Sequence, residues 1–213
     1  MKYLYIDTSS SFLYTAIVED DKVLSEIKEE FEQSLSKMAL PRIVSMFEEN
    51  NLKPIDIDKI IVVNGPGSFT GIRIGLTIAK VYAWSLDIPI TTILSLEAMA
   101  ISSSKVGFHV PILNARRGYV FTAIYDSSCN VILKPCHIPL TELQEKLEGI
   151  GDYELISNDE FEDIKTNSYE PNFLKIVNNF KDKKRINPHL VNPEYLKLTE
   201  AEEKKHDQWI NKY

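Results

Sequence analysis

The sequence predicts a two-lobed α/β protein, and three observations carry that prediction. The chain opens with three apolar segments, separated by short polar turns, that are typical of consecutive antiparallel strands. A run of branched apolar residues at 60–63 leads into a glycine-rich loop and then an apolar helical pattern. A Ser/Lys/Gly segment at 102–107 separates these elements from a second group of strands. We therefore predict a larger lobe at 1–103 and a smaller lobe with a charged tail at 104–213.

Length and composition fit an ordered globular protein. The 213 residues are 44% hydrophobic and 26% charged, the balance of a chain with a sizeable core. The formal net charge of −7 argues against an electrostatic grip on nucleic acid by this chain alone. No apolar run approaches the roughly 20 residues of a membrane span, and Asp7 comes too early for a signal peptide. We expect a cytoplasmic protein, with Cys129 and Cys136 as isolated thiols and a disulfide as the alternative.

Each element of the first lobe has its own signal. Apolar residues at three- and four-residue steps predict a helix over 34–50, which Pro41 should bend unless the helix begins late. The acidic stretch at 28–32 is expected in solvent, and the helix after the glycine loop is expected to begin past Gly71. Strands are predicted at 3–6, 13–18, 23–27, 60–63 and 88–94, and a short helix at 96–102.

The second lobe shows four strand patterns and two helical ones. Strands are predicted at 110–114, 119–125, 131–135 and 153–156, and helices at 139–147 and 173–180. Thr141 is the expected N-cap of the first of these helices. The tail at 188–213 carries a charged run and is expected to be a solvated helix or a frayed end.

The glycine loop and Asp7 each allow two interpretations. The loop lacks the Gly-Lys-Ser/Thr of a Walker A sequence and the distant acid of a dinucleotide fingerprint. Gly71 and Gly75 lie four residues apart on one helical face, which favours close packing or partner docking over a phosphate cradle. Asp7 follows the first strand, where a turn-capping carboxylate is favoured over a residue that holds a metal–nucleotide water.

Other candidate chemistry is weak. The four histidines form no H-x-x-x-H pair, the serines lack a nucleophile-elbow context, and Arg116 and Arg117 are expected to be solvated rather than bound to an anion. The stripe of Ile72, Leu76 and Ala79 could be core or an exposed patch that demands a partner. From the residues alone, the chain has the outline of an ATPase-like lobe and no convincing catalytic set.

Six short segments together resemble the TsaB (YeaZ) family of tRNA threonylcarbamoyladenosine (t6A) biosynthesis proteins. The longest and most specific is the glycine segment at 64–76, and the resemblance covers nearly the whole chain in the same order. The other five segments lie at 6–9, 36–43, 94–98, 114–116 and 193–197.

The resemblance implies a two-lobed actin/sugar-kinase/chaperone-type ATPase fold with ribonuclease H-like lobes. It further implies a degenerate paralogue of the catalytic subunit TsaD, in which an H-x-x-x-H pair binds the catalytic metal. Ser95 and Met99 stand in the positions of those two histidines. Because neither side chain replaces imidazole well at such a metal, no catalytic, cofactor-binding or metal-binding residue and no cofactor is expected.

The family also implies how such a chain works. It implies a non-catalytic scaffold that binds TsaD, together with the ATPase TsaE, for threonylcarbamoyl transfer to adenosine 37 of tRNAs reading ANN codons. It implies a homodimer through the same surface and contact with tRNA only through the complex. The docking surface carried over from the family comprises Met38, Ile43, Phe47, Ile72, Leu76 and Lys80.

Three departures from the family pattern weaken the transfer of nucleotide contacts. Asn114 replaces an aspartate, Tyr119 stands near a position that is commonly acidic or amide, and a histidine before the 36–43 segment is missing. The alternative hypothesis is an autonomous enzyme, either a nucleotide hydrolase or a peptidase-like protein of the wider fold family.

Overall fold

The computed structural model describes residues 1–31 and 35–197, and it contains two mixed β-sheets. The first sheet has the order β3-β2-β1-β4-β5. Strands β1 to β3 are consecutive and antiparallel, as predicted, whereas β4 and β5 run parallel to β1. The strands are β1 (Lys2–Asp7), β2 (Phe12–Glu19), β3 (Lys22–Glu30), β4 (Lys59–Val63) and β5 (Ile90–Ile93).

Side chains alternate between the two faces of the first sheet along its central strands, and both faces are buried. Leu4, Ile6 and Ile60 point to one face, where they pack under two long helices, α1 (Leu35–Glu49) and α2 (Phe69–Ser85). The alternate residues of the same strands, including the tyrosines of β1, point to the opposite face and into the core shared with the second sheet. The run at 60–63 is therefore buried on both faces, as predicted.

The second sheet has the order β8-β7-β6-β9 and covers the other side of that shared core. Helix α3 (Ser95–Ser102) and helix α5 (Phe173–Phe180) lie in the shared core, and α4 (Leu140–Leu147) packs on the outer face of the second sheet. Its strands are β6 (Phe108–Asn114), β7 (Tyr119–Tyr125), β8 (Val131–Pro139) and β9 (Tyr153–Ile156). Helix α5, although it comes late in the chain, packs against strands of the first sheet. The division into two lobes at 103/104 stays a prediction.

Three predicted boundaries are wrong. Strand β3 continues through the acidic stretch to Glu30, because its ladder with β2 satisfies the backbone while Glu29 pairs with Arg42 of α1. Helix α2 begins at Phe69, since the Ser68 hydroxyl accepts the Gly71 N–H and caps the first turn. Strand β8 continues through Pro139, so α4 starts directly after it and Thr141 lies inside the helix.

Several other predictions have definite outcomes. Helix α1 continues through Pro41, while the predicted start at Ser34 and the tail beyond Lys197 lie outside the described residues. Cys129 and Cys136 are free thiols, which confirms that prediction. Within 1–31 and 35–197, no helix has the length and apolar character needed to cross a membrane.

Lys59 fastens β4 to the end of α5. Its ammonium group is buried and donates to the carbonyl oxygens of Phe180 and Lys181 at 2.9 Å each, and of Lys183 at 2.7 Å. A cation at a helix C-terminus satisfies carbonyls that have no intrahelical partner and interacts favourably with the helix dipole. Burial lowers the pKa of Lys59, and these three acceptors compensate the buried charge.

We expect Lys59→Met to lower the free energy of unfolding by about 2–4 kcal/mol, because the substitution leaves three carbonyl groups without their donor. Denaturant titration monitored by circular dichroism measures this change. Lys22→Met, at an exposed lysine of β3, is the control and should stay within about 0.5 kcal/mol of the parent protein. Equal effects of the two substitutions would contradict a capping role for Lys59.

Candidate functional site

A cleft of about 810 Å³ opens between the two sheets. Its walls come from the β1–β2 turn, the start of α1, the glycine loop with the start of α2, and the β6–β7 turn. Such a position, where several loops meet at the ends of strands, is where ligands of open α/β folds are commonly bound.

The glycine loop is packed against the β1–β2 turn. A Cβ atom added at Gly71 would overlap the carbonyl oxygen of Thr8, and one added at Gly75 would overlap the Thr8 hydroxyl. That hydroxyl donates to the Gly71 carbonyl at 2.7 Å and accepts the Gly75 N–H at 3.0 Å. The Ser68 N–H donates to the Ser9 carbonyl at 2.6 Å. These contacts confirm the close-packing interpretation of the two glycines.

The other side of the loop is closed by α3 and by a late segment of the chain. The Ser95 hydroxyl donates to the Pro66 carbonyl at 2.6 Å, and the Ser95 N–H donates to the Gly65 carbonyl at 2.8 Å. Gly65 has a φ of +125°, and an added Cβ would overlap the carbonyl oxygen of Glu194. The Glu194 N–H in turn donates to the Asn64 carbonyl at 2.7 Å. The loop is thus enclosed by its own protein on both sides.

The two positions that the family resemblance sets against the TsaD histidines hold core residues. Ser95 is buried with its hydroxyl occupied by Pro66, and Met99 is 2% exposed within the shared core. Across the part of the chain that the structure describes, no group of three or more His, Cys, Asp or Glu side chains could hold a metal ion. The residues present at this position therefore do not fit a metal.

Asp7 lies at the end of β1 and is almost fully buried. Its carboxylate accepts the Ser9 N–H at 2.8 Å, which is the turn-capping contact that the sequence favours. The Tyr5 hydroxyl is a more distant donor at 3.4 Å. Burial raises the pKa of Asp7, and the Ser9 hydrogen bond opposes that rise.

Arginines are exposed at the rim of the cleft. Arg116 and Arg117 form the β6–β7 turn with φ values of +67° and +53°, and Arg116 lines the cleft. Asn114, the departure from the family aspartate, also lines it, and its side-chain oxygen accepts the Arg116 N–H at 2.8 Å. Both arginine side chains are exposed, as expected.

The six predicted docking residues fall into two groups. Four belong to the core under α1 and α2 and are 1–5% exposed: Ile43, Phe47, Ile72 and Leu76. Met38 is 36% exposed on α1. Lys80 is half-buried on α2 and donates to the Val191 carbonyl at 2.7 Å. The apolar stripe common to both helices is therefore core, and only Met38 and Lys80 remain accessible for a docking role.

Between the two helices lies a different set of apolar residues that the sequence analysis missed. The Phe47 and Tyr82 rings meet at 6.2 Å, which defines the facing sides of α1 and α2. Positions 44 and 40 lie one and two turns before Phe47, and 78 and 74 lie one and two turns before Tyr82, with 81 one turn after 78. We call the resulting surface the α1–α2 face, and it comprises Leu40, Val44, Ile74, Ile78 and Val81. Leu40, Val44 and Val81 are 46–57% exposed.

The late segment 186–197, which we call the strap, runs along the opposite side of α2. Val191 is buried in the core, and the Tyr195 ring stacks on Phe69 at 5.4 Å. Arg73 lies over the Phe69 ring at 3.8 Å and donates to the Tyr195 hydroxyl at 3.1 Å. Two of the family-like segments, at 64–76 and 193–197, are thus in direct contact.

Gly71→Ala tests the packing of the loop. In an open helical site this substitution would stabilise by up to about 1 kcal/mol through helix propensity. Here we expect the free energy of unfolding to fall by about 2–4 kcal/mol, because the new methyl group meets backbone that must move. Thr70→Ala, at the exposed neighbouring position, is the control. A stabilised Gly71→Ala protein would show that the space is open.

Asp7→Asn tests the buried carboxylate. Because the folded-state pKa is raised, the folded protein binds the proton more tightly than the unfolded chain does. Stability contributed by this group therefore falls as pH rises above its ordinary pKa of 3.8. We expect Asp7→Asn, whose amide oxygen still accepts the Ser9 N–H, to be more stable than the parent at pH 7 and to lose that advantage in acid.

Asp126→Asn is a control with the opposite sign. Hydrogen bonds from Asn130 lower the pKa of Asp126, so its carboxylate stabilises the folded state at neutral pH. This substitution should destabilise the protein at pH 7 and have less effect in acid. Denaturation curves from acidic to neutral pH measure the stability change of each variant. An Asp7→Asn protein that is less stable than the parent at pH 7 would contradict the expectation for the buried carboxylate.

Comparison with known proteins agrees with the fold. A family model described as "TsaD: tRNA N6-adenosine threonylcarbamoyltransferase" matches residues 27–186. The tRNA threonylcarbamoyladenosine biosynthesis protein TsaB of Bacillus subtilis is 33% identical over 99% of this chain and 98% of its own length. TsaB of Escherichia coli is 29% identical over 62% of this chain and 58% of its own.

The solved structure of YeaZ from Pseudomonas aeruginosa has the same fold. It superposes with a TM-score of 0.76 at 17% identity and covers 92% of this chain and 99% of its own. A Pseudomonas aeruginosa structure described as an uncharacterized protein with similarity to peptidase YEAZ gives a TM-score of 0.77 with the same identity and coverage. The two-sheet α/β fold of this chain is therefore that of the solved YeaZ structures. The chain belongs to the TsaB (YeaZ) family of tRNA threonylcarbamoyladenosine biosynthesis proteins.

Proposed function

We propose that this chain is a non-catalytic scaffold subunit of the t6A machinery. It binds TsaD, together with the ATPase TsaE, and is required for threonylcarbamoyl transfer to adenosine 37 of tRNAs that read ANN codons. The observation that carries the proposal is an exposed aliphatic face between two helices whose own core is already complete.

The non-catalytic part of the proposal rests on where the polar groups are engaged. Ser95 and Met99 occupy the aligned metal positions, and the Ser95 hydroxyl is committed to closing the glycine loop. The N–H groups of Gly71 and Gly75 are paired with Ser68 and Thr8 rather than free for a phosphate. A site whose donors are already paired within the protein has little left with which to stabilise a transition state.

The docking part rests on the α1–α2 face. Branched aliphatic side chains that stay half-exposed, side by side on two helices, form a patch that is typical of a protein–protein contact. A helix of a partner laid along this face would complete a bundle-like contact. Met38 and Lys80 remain proposed contacts outside that face, and Lys80 lies on the side of α2 that carries the strap.

Charge supports contact with tRNA only through the complex. The net charge of −7 repels a phosphate backbone, so the basic surface that holds tRNA would belong to a partner. The same aliphatic face, if two copies meet, would give a homodimer that competes with TsaD. Pairing with TsaD and self-association are therefore expected to be mutually exclusive.

The alternative function is that of an autonomous enzyme, either a nucleotide hydrolase or a peptidase-like protein. The cleft, with Arg116 at its rim and Ser9, whose N–H the Asp7 carboxylate accepts, in its lining, favours the hydrolase over the peptidase. Purified protein that turns over ATP, and loses this activity in Asp7→Ala, would establish the hydrolase. The scaffold proposal expects no such turnover.

Reconstitution tests the scaffold proposal directly. Incorporation of t6A into tRNA is measured with TsaD, TsaE and the enzyme that makes threonylcarbamoyl-adenylate, with and without this chain. We expect modification to depend on the chain. Equal modification in its absence would sink the proposal.

Val44→Glu and Val81→Glu test the docking surface. Each places a charge in the α1–α2 face, so we expect TsaD binding to weaken by at least about 30-fold while the fold is kept. Ile132→Glu, at a similarly exposed position on β8, is the matched control and should bind as the parent does. Size-exclusion chromatography with TsaD and a binding titration measure the effect; unchanged binding in both variants would contradict this surface.

Leu76 requires a different expectation. Because it is 3% exposed and lies in the core, Leu76→Asp should unfold the protein, so loss of binding in that variant says nothing about docking.

A further inference from the structure

A second cavity, of about 390 Å³, opens where the C-terminal end of α2 meets the start of the strap. Trp84 forms one wall, and its indole meets the His189 ring edge-on at 6.0 Å. Trp84 is nevertheless 66% exposed, and Leu190, the residue after His189, is 70% exposed. An indole left this open beside a cavity is typical of the anchor residues of protein–protein interfaces.

The cavity adjoins the α1–α2 face. Val81, a member of that face, lies three residues before Trp84, so the two side chains are neighbours on the helix surface. The α1–α2 face comprises five aliphatic residues, whereas each partner in a stable interface buries about 800 Å² from roughly 20–30 residues. A partner docked on the face must therefore reach further, and the exposed indole of Trp84 is next to it on α2.

The rim of the cavity is basic. The exposed segment 181–185 carries four cationic side chains and one acid, and Arg185 at its end lines the cavity. Asp87, the acid in the lining, is already paired with Arg185. Lys80 lies one helical turn before Trp84. A local excess of positive charge on a chain with a net charge of −7 is complementary to an acidic partner.

Two other occupants fit this cavity less well. A two-fold contact between copies of the chain would set the basic rim against itself. RNA would meet the exposed aliphatic side chains of Val81 and Leu190, which offer it no hydrogen bonds, on a chain whose net charge repels phosphate. An acidic protein segment with an apolar anchor suits both the cavity and its rim.

We propose that this cavity, which we call the Trp84 pocket, is a second contact for TsaD. An acidic segment of TsaD lies along the basic rim, and one of its apolar side chains enters the pocket against the indole. The inference rests on the proposed scaffold function, because the same partner covers the α1–α2 face. The pocket thereby distinguishes TsaD from a second copy of the chain, which can use only the α1–α2 face.

Binding titrations of TsaD against variants of the full chain test the pocket. We expect Trp84→Ala to weaken TsaD binding at least about 30-fold, and Trp84→Phe, which keeps an aromatic ring, to lose less. Because Trp84 is exposed, neither substitution should disturb the core, and far-UV circular dichroism confirms that each variant is folded. Ile132→Ala, at an exposed apolar position of β8 in the other sheet, is the matched control and should bind as the parent does.

Charge reversal tests the rim. Lys184→Glu, at an exposed position, should slow association with TsaD about fivefold at low salt and have little effect in about 0.5 M NaCl, where salt screens exposed charges. Lys134→Glu, at an exposed position of β8, is the control and should associate as the parent does. Association kinetics on a TsaD-coated biosensor measure both variants.

The remaining outcomes separate the pocket from the scaffold function. Unchanged TsaD binding in Trp84→Ala would overturn the pocket and leave the scaffold function intact. A parent chain that does not bind TsaD would overturn the scaffold function and this contact with it. Self-association that weakens as much as TsaD binding in Trp84→Ala would assign the pocket to a second copy. Binding of tRNA by the chain alone, lost in Trp84→Ala, would assign it to RNA.

Discussion

The close approach of Gly71 and Gly75 to Thr8 is the constraint on which the rest of this structure depends. Because neither glycine has a side chain, α2 lies directly against the end of β1, where the Thr8 hydroxyl joins the two by hydrogen bonds. That position turns one stripe of α2 into the core and leaves the stripe beside α1 half-exposed. A single steric requirement thus determines both the packing of the first sheet and the surface that we propose for a partner.

Two buried charged residues differ in how well hydrogen bonds compensate their charge. Lys59 has three carbonyl acceptors, and its charge joins β4 to α5. Asp7 has one short hydrogen bond and one distant tyrosine, so burial raises its pKa and its ionised form is poorly compensated.

The sequence was sufficient for the elements and their order, because branched runs, glycine punctuation and helical periodicity are local signals. It was insufficient for the docking surface. Periodicity identifies an apolar stripe on α1 and α2 but cannot tell which stripe meets the sheet. The resemblance to the family places Ile43, Phe47, Ile72 and Leu76 at a docking surface, whereas they lie in the core. The extension of β8 past Pro135 depends on pairing with β7, which local propensity does not report. The contact between the strap and the glycine loop is equally non-local.

The contact between the strap and the glycine loop shows that the family-like segments lie together in the fold. The glycine segment, the first turn, the start of α3 and the strap are far apart in sequence but meet at one point, through Thr8, Ser95 and Glu194. Where the resemblance to TsaD places a metal-binding histidine, Ser95 donates to the Pro66 carbonyl and closes the loop instead. At this position a short hydroxyl contributes a structural hydrogen bond and no metal ligand. In this chain the residues of the family-like glycine segment are therefore engaged in packing the fold.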